Sequence, residues 1–268
     1  MEIKDNVVLI TGGASGIGRL ISRISLEKGA KGVAVWDINQ ANLDKVTEEF
    51  SAKGDIKGYR VDVSDPETVL QAYEKVKADF GQVDILVQCA GIVTSNNYFE
   101  DNSITEIKRM MEINAIAPMY VAKPVLQDMV SRDSGHLVNV ASAAGMLPNP
   151  KMSVYTASKW GAIGWSDTVR VELQMRKSHV KVTTVAPYYI NTGMFDGVQS
   201  KMFKILEPED TARKIVKAIE KEKIYAGIPF GFHFIRLMEG IFPFKVFDWI
   251  FGEFCGLYHA MDHFTGRK

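Results

Sequence analysis

Short apolar runs recur along the chain at Val7–Ile10, Val33–Trp36, Tyr59–Val61, Ile85–Val87, Leu137–Val140 and Val182–Val185, separated by stretches long enough for helices. Val7–Ile10, Val33–Trp36 and Ile85–Val87 are continuously apolar, as expected of strands covered on both faces rather than on one. Such runs alternating with helical stretches indicate βαβ units in a parallel sheet. The pattern therefore predicts an α/β fold, a single doubly wound (Rossmann-type) parallel sheet with helices on both faces.

Local signals place individual helices. Asp65-Pro66-Glu67 supplies an N-cap, a proline at the first helical position and an acid in the first turn, and Gly81 supplies a stop, so a helix is predicted over 66–80. Pro208-Glu209-Asp210 opens another, reaching Ile219 with Ala212, Ile215, Val216 and Ile219 at helical spacing. From about Ile224 the composition changes, with Phe230, Phe232, Phe234, Phe242, Phe244, Phe247, Trp249, Phe251, Phe254 and Tyr258 crowded together. Residues 1–226 read as one domain and 227–268 as an aromatic-rich helical extension of it, not an independent domain. Three roles suit the extension: helices packed on the domain or a partner subunit, a lid over an apolar substrate, or peripheral contact with a membrane surface. Lys245, Asp248 and Glu253 interrupt it, which argues against a spanning helix of roughly 20 apolar residues.

Composition narrows the function classes. Hydrophobic residues at 46% and charged residues at 24% are ordinary globular values, and 32 basic against 32 acidic residues leave no net charge with which to grip nucleic acid. Cys89 and Cys255 lie far apart without metal-type spacing, which suggests a reducing, cytoplasmic setting. Met1–Asn6 runs straight into Val7–Ile10 with no signal-peptide stretch.

The first apolar run leads into Thr11-Gly12-Gly13-Ala14-Ser15-Gly16-Ile17-Gly18 and then a helical stretch from Arg19 to Lys28. Glycines there permit a tight turn and close approach of the backbone to a pyrophosphate, which the free N–H groups of the helix N-terminus attract. The spacing is Gly12-x-x-x-Gly16-x-Gly18 instead of the usual G-x-G-x-x-G. Asp37 ends the second run about 20 residues on, where a carboxylate accepts hydrogen bonds from adenosine ribose hydroxyls and repels a 2′-phosphate. Its bland alternative is a cap for a helix beginning near Asn39. No lysine or arginine lies in the glycine loop or at 38–39, so NAD is favoured over NADP. Asp62-Val63 and Cys89-Ala90-Gly91 follow the third and fourth runs, at strand ends where open α/β sheets bind ligands, and serve either the adenine side or ordinary loop structure.

The sharpest chemical signal is Tyr155-Thr156-Ala157-Ser158-Lys159, because residues four apart on a helix share one face and the ammonium can approach the phenol. A phenol near pKa 10 must be lowered by roughly 4 kcal/mol to act near neutrality. Ser142, thirteen residues upstream at the end of Leu137–Ala141, would bring a hydroxyl to the same sheet edge to bond the substrate oxygen.

From about Lys4 to Ala226 these residues resemble the short-chain dehydrogenase/reductase family: the glycine loop, Asp37, Asp62-Val63, Ala90-Gly91, Asn114, Ser142, Tyr155, Lys159 and the segment Pro187…Thr192 stand in its order and spacing. The resemblance implies an Asn-Ser-Tyr-Lys tetrad. Tyr155 would exchange the hydroxyl proton, Ser142 position the substrate oxygen, Lys159 hold the nicotinamide ribose and lower the phenol pKa, and Asn114 anchor a water. It also implies contacts of Thr192, with Ile190 and Pro187 beside it, to the nicotinamide, and a homodimer or homotetramer packed through helices near 106–130 and 153–176. Two departures stand out. Gln88-Cys89 replace the two asparagines usual before Ala90-Gly91, and Tyr188 replaces the glycine usual after Pro187.

The stretch Thr192–Phe195 through Met202–Leu206 falls where such enzymes carry their substrate loop, and it is apolar on one side. Trp36–Asn39 and Tyr189–Gly193 resemble the branch of retinol and 17-beta-hydroxysteroid dehydrogenases. The expected activity is hydride transfer between NAD and a hydrophobic secondary alcohol or ketone (steroid-, retinoid- or lipid-like). The alternatives are an NADP-dependent carbonyl reductase of smaller ketones and a non-catalytic nucleotide-binding regulatory protein, against which the intact tetrad speaks. His259 and His263 stand four apart but find no third ligand in the sequence, so no metal is expected.

Overall fold

The computed structural model describes residues 1–201 and 203–266; Met202, counted above in the substrate stretch, lies outside the described residues. Its strands are β1 (Val7–Thr11), β2 (Gly32–Asp37), β3 (Ile56–Arg60), β4 (Ile85–Gln88), β5 (His136–Val140), β6 (Lys181–Pro187) and β7 (Tyr225–Ile228). They form one sheet in the order β3-β2-β1-β4-β5-β6-β7, with every pair parallel. The order reverses between β1 and β4, and ligands of such sheets bind in the crevice beyond the carboxyl ends at that point.

Two strands differ from the sequence pattern. The third begins earlier than Tyr59, and β7 carries the sheet through the expected boundary at 226. Both are edge strands; β3 is only half-buried and needs no continuous apolar run, whereas β7 is largely buried but only four residues long, with Gly227 in it. In β1, by contrast, Val8 and Ile10 enter the core on one face and Val7 and Leu9 the core on the other. Their partners on the first face are α1 (Gly16–Glu27), α2 (Gln40–Phe50) and α7 (Pro208–Glu220), through Ile21, Ile24, Val46, Ile215 and Ile219.

The second face carries α3 (Pro66–Phe80), α5 (Ala117–Ser131) and α6 (Ser153–Met175). The Asp65 side chain caps α3 by accepting from the Glu67 N–H at 3.0 Å, and Gly81 ends it at φ 85°. Before α5, α4 (Ile104–Met111) passes through a π turn at Glu112–Ile116, a wider turn that recurs at functional sites.

A third core lies beyond the carboxyl ends of the strands. There Tyr155, Tyr188 and Tyr189 pack with Phe232, Ile235, Phe247, Leu257 and Met261 of the extension. The extension is built from α8 (Ile235–Ile241), α9 (Phe244–Phe247), a π-helical stretch at Asp248–Phe254 and short 3-10 segments, and it returns to the domain through the Thr265 N–H to Asp196 O at 2.8 Å and a Lys151–Asp262 ion pair at 2.8 Å. Its outer side leaves Phe230, Phe234, Leu237, Ile241, Phe244 and Trp249 exposed. Among the described residues no helix is long and apolar enough to cross a membrane.

Candidate active site

Where β1 ends, the chain turns through Gly12 at φ 65° and Gly16 at φ 51° into α1. A Cβ on Gly18 would stand 2.3 Å from the Gly12 carbonyl oxygen, so the turn closes only with glycine there. Ser15 occupies the N-cap of α1 but makes no side-chain cap bond, which leaves first-turn N–H groups free to receive an anion. A Cβ on Gly16 would meet only the Thr192 side chain, at 3.7 Å, so the turn opens onto a cleft of about 300 Å³. The shape and the donors fit a dinucleotide.

The cleft gathers Gly12, Ser15, Gly16, Ile17 and Gly18 with Asp37, Asp62, Val63, Ala90 and Gly91, and then runs on to Ser142, Tyr155, Lys159, Pro187, Ile190 and Thr192. Asp37 accepts from the Ala14 N–H at 3.3 Å and the Asn39 N–H at 3.0 Å, while Asn39 itself caps α2. The carboxylate thus braces the glycine turn and remains on the cleft wall.

Asn114 does not line the cleft. It is buried behind it on the π turn, where Oδ1 accepts from the Ile92 N–H and Nδ2 donates to the Ile92 carbonyl, both at 2.9 Å. Nδ2 also reaches Ser158 Oγ at 3.3 Å, which ties the loop after β4 to the helix that carries Tyr155. The Gln88-Cys89 departure is absorbed locally: Gln88 donates to the Pro118 carbonyl at 3.0 Å, and the Ala90 N–H finds Thr11 Oγ1 at 3.2 Å. Tyr188, the other departure, is held by Ser200 Oγ at 2.9 Å and stacks on Phe232 with centroids 5.3 Å apart.

Tyr155 and Lys159 project from the first turns of α6 into the cleft, both nearly fully buried. Burial pushes the phenol up to about 12, an effect that the neighbouring Ser142 hydroxyl opposes. Burial likewise brings the Lys159 ammonium down to about 8. Its Nζ lies 5.7 Å from the Tyr155 ring centroid and 3.5 Å from the Val140 carbonyl. With the phenol at about 12 and the ammonium at about 8, the pair near neutral pH is a protonated phenol beside a charged ammonium.

Among the residues that line the cleft, Arg109 and Ile113 escape sequence reasoning. Cys89 lines it with a buried thiol pushed up to about 12, and Arg109 reaches it from α4 with Ile113 one turn on. Arg109 comes from a distant segment, and its spacing of four from Ile113 on one helical face was the available signal.

Past Tyr155 the cleft is walled by packed aromatic side chains. The Phe195 ring stands edge-on to Tyr155 at 5.9 Å and to Tyr189 at 5.1 Å, and Phe203 packs on Phe232 at 5.2 Å.

Comparison with known proteins agrees with this geometry. The short chain dehydrogenase family profile matches residues 6–202. Epidermal retinol dehydrogenase 2 of Mus musculus is 33% identical over all of this chain and 87% of its own length. Estradiol 17-beta-dehydrogenase 11 of Homo sapiens is 32% identical over 90% of this chain and 81% of its own. A short chain dehydrogenase/reductase from Burkholderia phymatum, solved with NAD, shares the fold at TM-score 0.81 and 22% identity, over 90% of this chain and 95% of that one. The chain belongs to the short-chain dehydrogenase family and is an NAD(P)-dependent oxidoreductase acting on alcohols.

Proposed function

We propose that the protein oxidises bulky, apolar secondary alcohols with NAD, or reduces the matching ketones, with Tyr155 as the acid/base. The observation that carries this reading is the buried Tyr155–Lys159 pair, with Ser142, on the wall of a dinucleotide cleft that borders a packed aromatic core. The nicotinamide, when bound, supplies or accepts the hydride. Ser142 holds the substrate oxygen against Tyr155, whose Oη takes the hydroxyl proton in oxidation and returns it in reduction. Lys159 stabilises the phenolate and holds the nicotinamide ribose, with Pro187, Ile190 and Thr192 bounding the nicotinamide end. Asn114, cross-bonded to Ile92, anchors a water that passes the proton outward. The extension covers the substrate end, and the apolar groove between α5 and α6, lined by Leu126, Val130, Val169 and Leu173, is the face for a second copy.

Relatives named for retinol and estradiol support an apolar alcohol as substrate. A panel of steroid, retinoid, long-chain and small polar alcohols assayed with NAD tests this: the highest kcat/KM falls on a bulky apolar alcohol, and preference for a small polar one overturns the reading.

NAD is assigned over NADP because Asp37 faces the ribose side of the cleft with a carboxylate that a 2′-phosphate would have to approach. Arg109, on the wall of the same cleft, is the observation that favours NADP. Asp37→Ala is expected to raise kcat/KM with NADPH by about tenfold relative to NADH, as removal of roughly 1.4 kcal/mol of repulsion implies. An unchanged cofactor ratio would assign the preference elsewhere.

A further inference from the structure

We infer that Gly197 is a positioning residue for the reaction: it lets the loop after Ile190 dock on the segment Ala260–Thr265 and so holds Phe195 edge-on to the ring of Tyr155. This inference rests on the reading of Tyr155 as the acid/base and adds what fixes its ring.

The loop from Asn191 to Ser200 is built of turns, with no helix or strand of its own. Of its residues 195–199, Phe195 and Val198 pack on the core, whereas Asp196, Gly197 and Gln199 are exposed. Backbone contacts with Ala260–Thr265 secure the exposed ones. The Asp196 carbonyl accepts from the Thr265 N–H at 2.8 Å and from Thr265 Oγ1 at 3.2 Å, and the Gln199 N–H donates to the Ala260 carbonyl at 3.1 Å. Gly197 lies between these bonds at φ 84°, backbone against backbone with His263–Thr265. A Cβ there would overlap the His263 carbonyl oxygen and stand 2.9 Å from the Thr265 nitrogen, so the two segments close only over glycine.

The surface on which the loop docks is itself held from elsewhere. Ala260 and Met261 are each 1% exposed and belong to the core that contains Tyr155. The Met261 carbonyl accepts from Asn96 Nδ2 at 2.9 Å, and Asp262 pairs with Lys151 at 2.8 Å. Asn96 stands on the loop after β4 and Lys151 just before α6, so the segment is tied to two further loops of the domain. Phe195 carries this order to the site. It immediately precedes the bonded Asp196, its carbonyl accepts from the Val198 N–H at 3.2 Å, and its ring meets Tyr155 at 5.9 Å and Tyr189 at 5.1 Å. Edge-on aromatic contacts have a preferred geometry, so a fixed Phe195 fixes the tilt of the Tyr155 ring and with it the place of the phenol oxygen. Misplacement of a reacting group by about 1 Å costs up to about 10²-fold in rate.

The test is a double-mutant cycle on kcat, measured at saturating NAD with the best alcohol of the panel above. Gly197→Val and Thr265→Pro disrupt the contact from its two sides, the first by collision and the second by removing both donors to Asp196. Each is expected to lower kcat about tenfold with Tm near the parent value, because both positions are exposed. Phe195→Leu lowers kcat as well, and combining it with either docking variant adds little, since a residue that acts through another gives non-additive effects. Additive losses in the cycle overturn the inference, as does a parent-like kcat in both docking variants. A raised KM for the alcohol with kcat kept also overturns it, because the loop would then be a substrate wall only. Should Gly197→Val melt well below the parent, the same cycle run with Thr265→Pro decides the matter. Parent-like turnover by Tyr155→Phe removes the acid/base reading and the inference with it, a failure distinct from any result of the cycle.

Discussion

Tyr155→Phe is expected to lower kcat about 10³-fold, within the range that a positioned acid/base contributes, while NADH affinity and Tm stay near the parent values. The substitution removes only the hydroxyl and keeps the ring that stands edge-on to Phe195 at 5.9 Å. Kinetics in both directions check the assignment. Oxidation needs the phenolate, and because burial holds the phenol up at about 12 in the free protein, the parent's oxidation rate rises with pH. Reduction needs the phenol and falls as pH rises. Turnover of the phenylalanine variant close to the parent's would remove Tyr155 from the reaction.

Lys159→Met is expected to combine a large loss of activity, about 10²-fold or more, with a gain in stability. Burial lowers the ammonium from 10.5 to about 8, so the folded state binds this proton less readily than the unfolded chain does. The resulting penalty, roughly 3 kcal/mol, is present in full below pH 8 and fades as pH climbs toward 10.5. Methionine fills similar space without charge. The variant therefore melts higher than the parent at pH 7, and the difference narrows by pH 10. A variant that melts lower at pH 7 would mean that the ammonium is better satisfied than its single long contact with the Val140 carbonyl at 3.5 Å indicates. The oxidation profile of the variant shifts to higher pH, because the phenolate has lost its nearest cation.

Much of the framework is legible in the residues because its causes are local. The 66–80 helix carries its own cap, proline and stop, and the central strands announce themselves by burial on both faces. The glycine turn is legible for the same reason: Gly18 lies against Gly12, six positions away, and no other residue closes that turn. Edge strands are less legible, since β3 and β7 carry a weaker pattern where one side lacks a neighbour.

Pairings between distant segments had to await the fold. Arg109 and Cys89 line the same cleft as Asp37 and Lys159 only after α4 and β4 are set around the sheet. Asn114 and Ile92 meet across the base of the cleft, and Asn149 and Tyr189 meet forty residues apart in sequence. The spacing of Tyr155 and Lys159 alone sets their common helical face, because backbone geometry dictates it. Their burial, and the opposed shifts of phenol and ammonium that follow, belong to the tertiary structure. Desolvation is set by every segment that closes over the pair, including an aromatic extension whose sequence shows abundant apolar surface but not the surface that it covers.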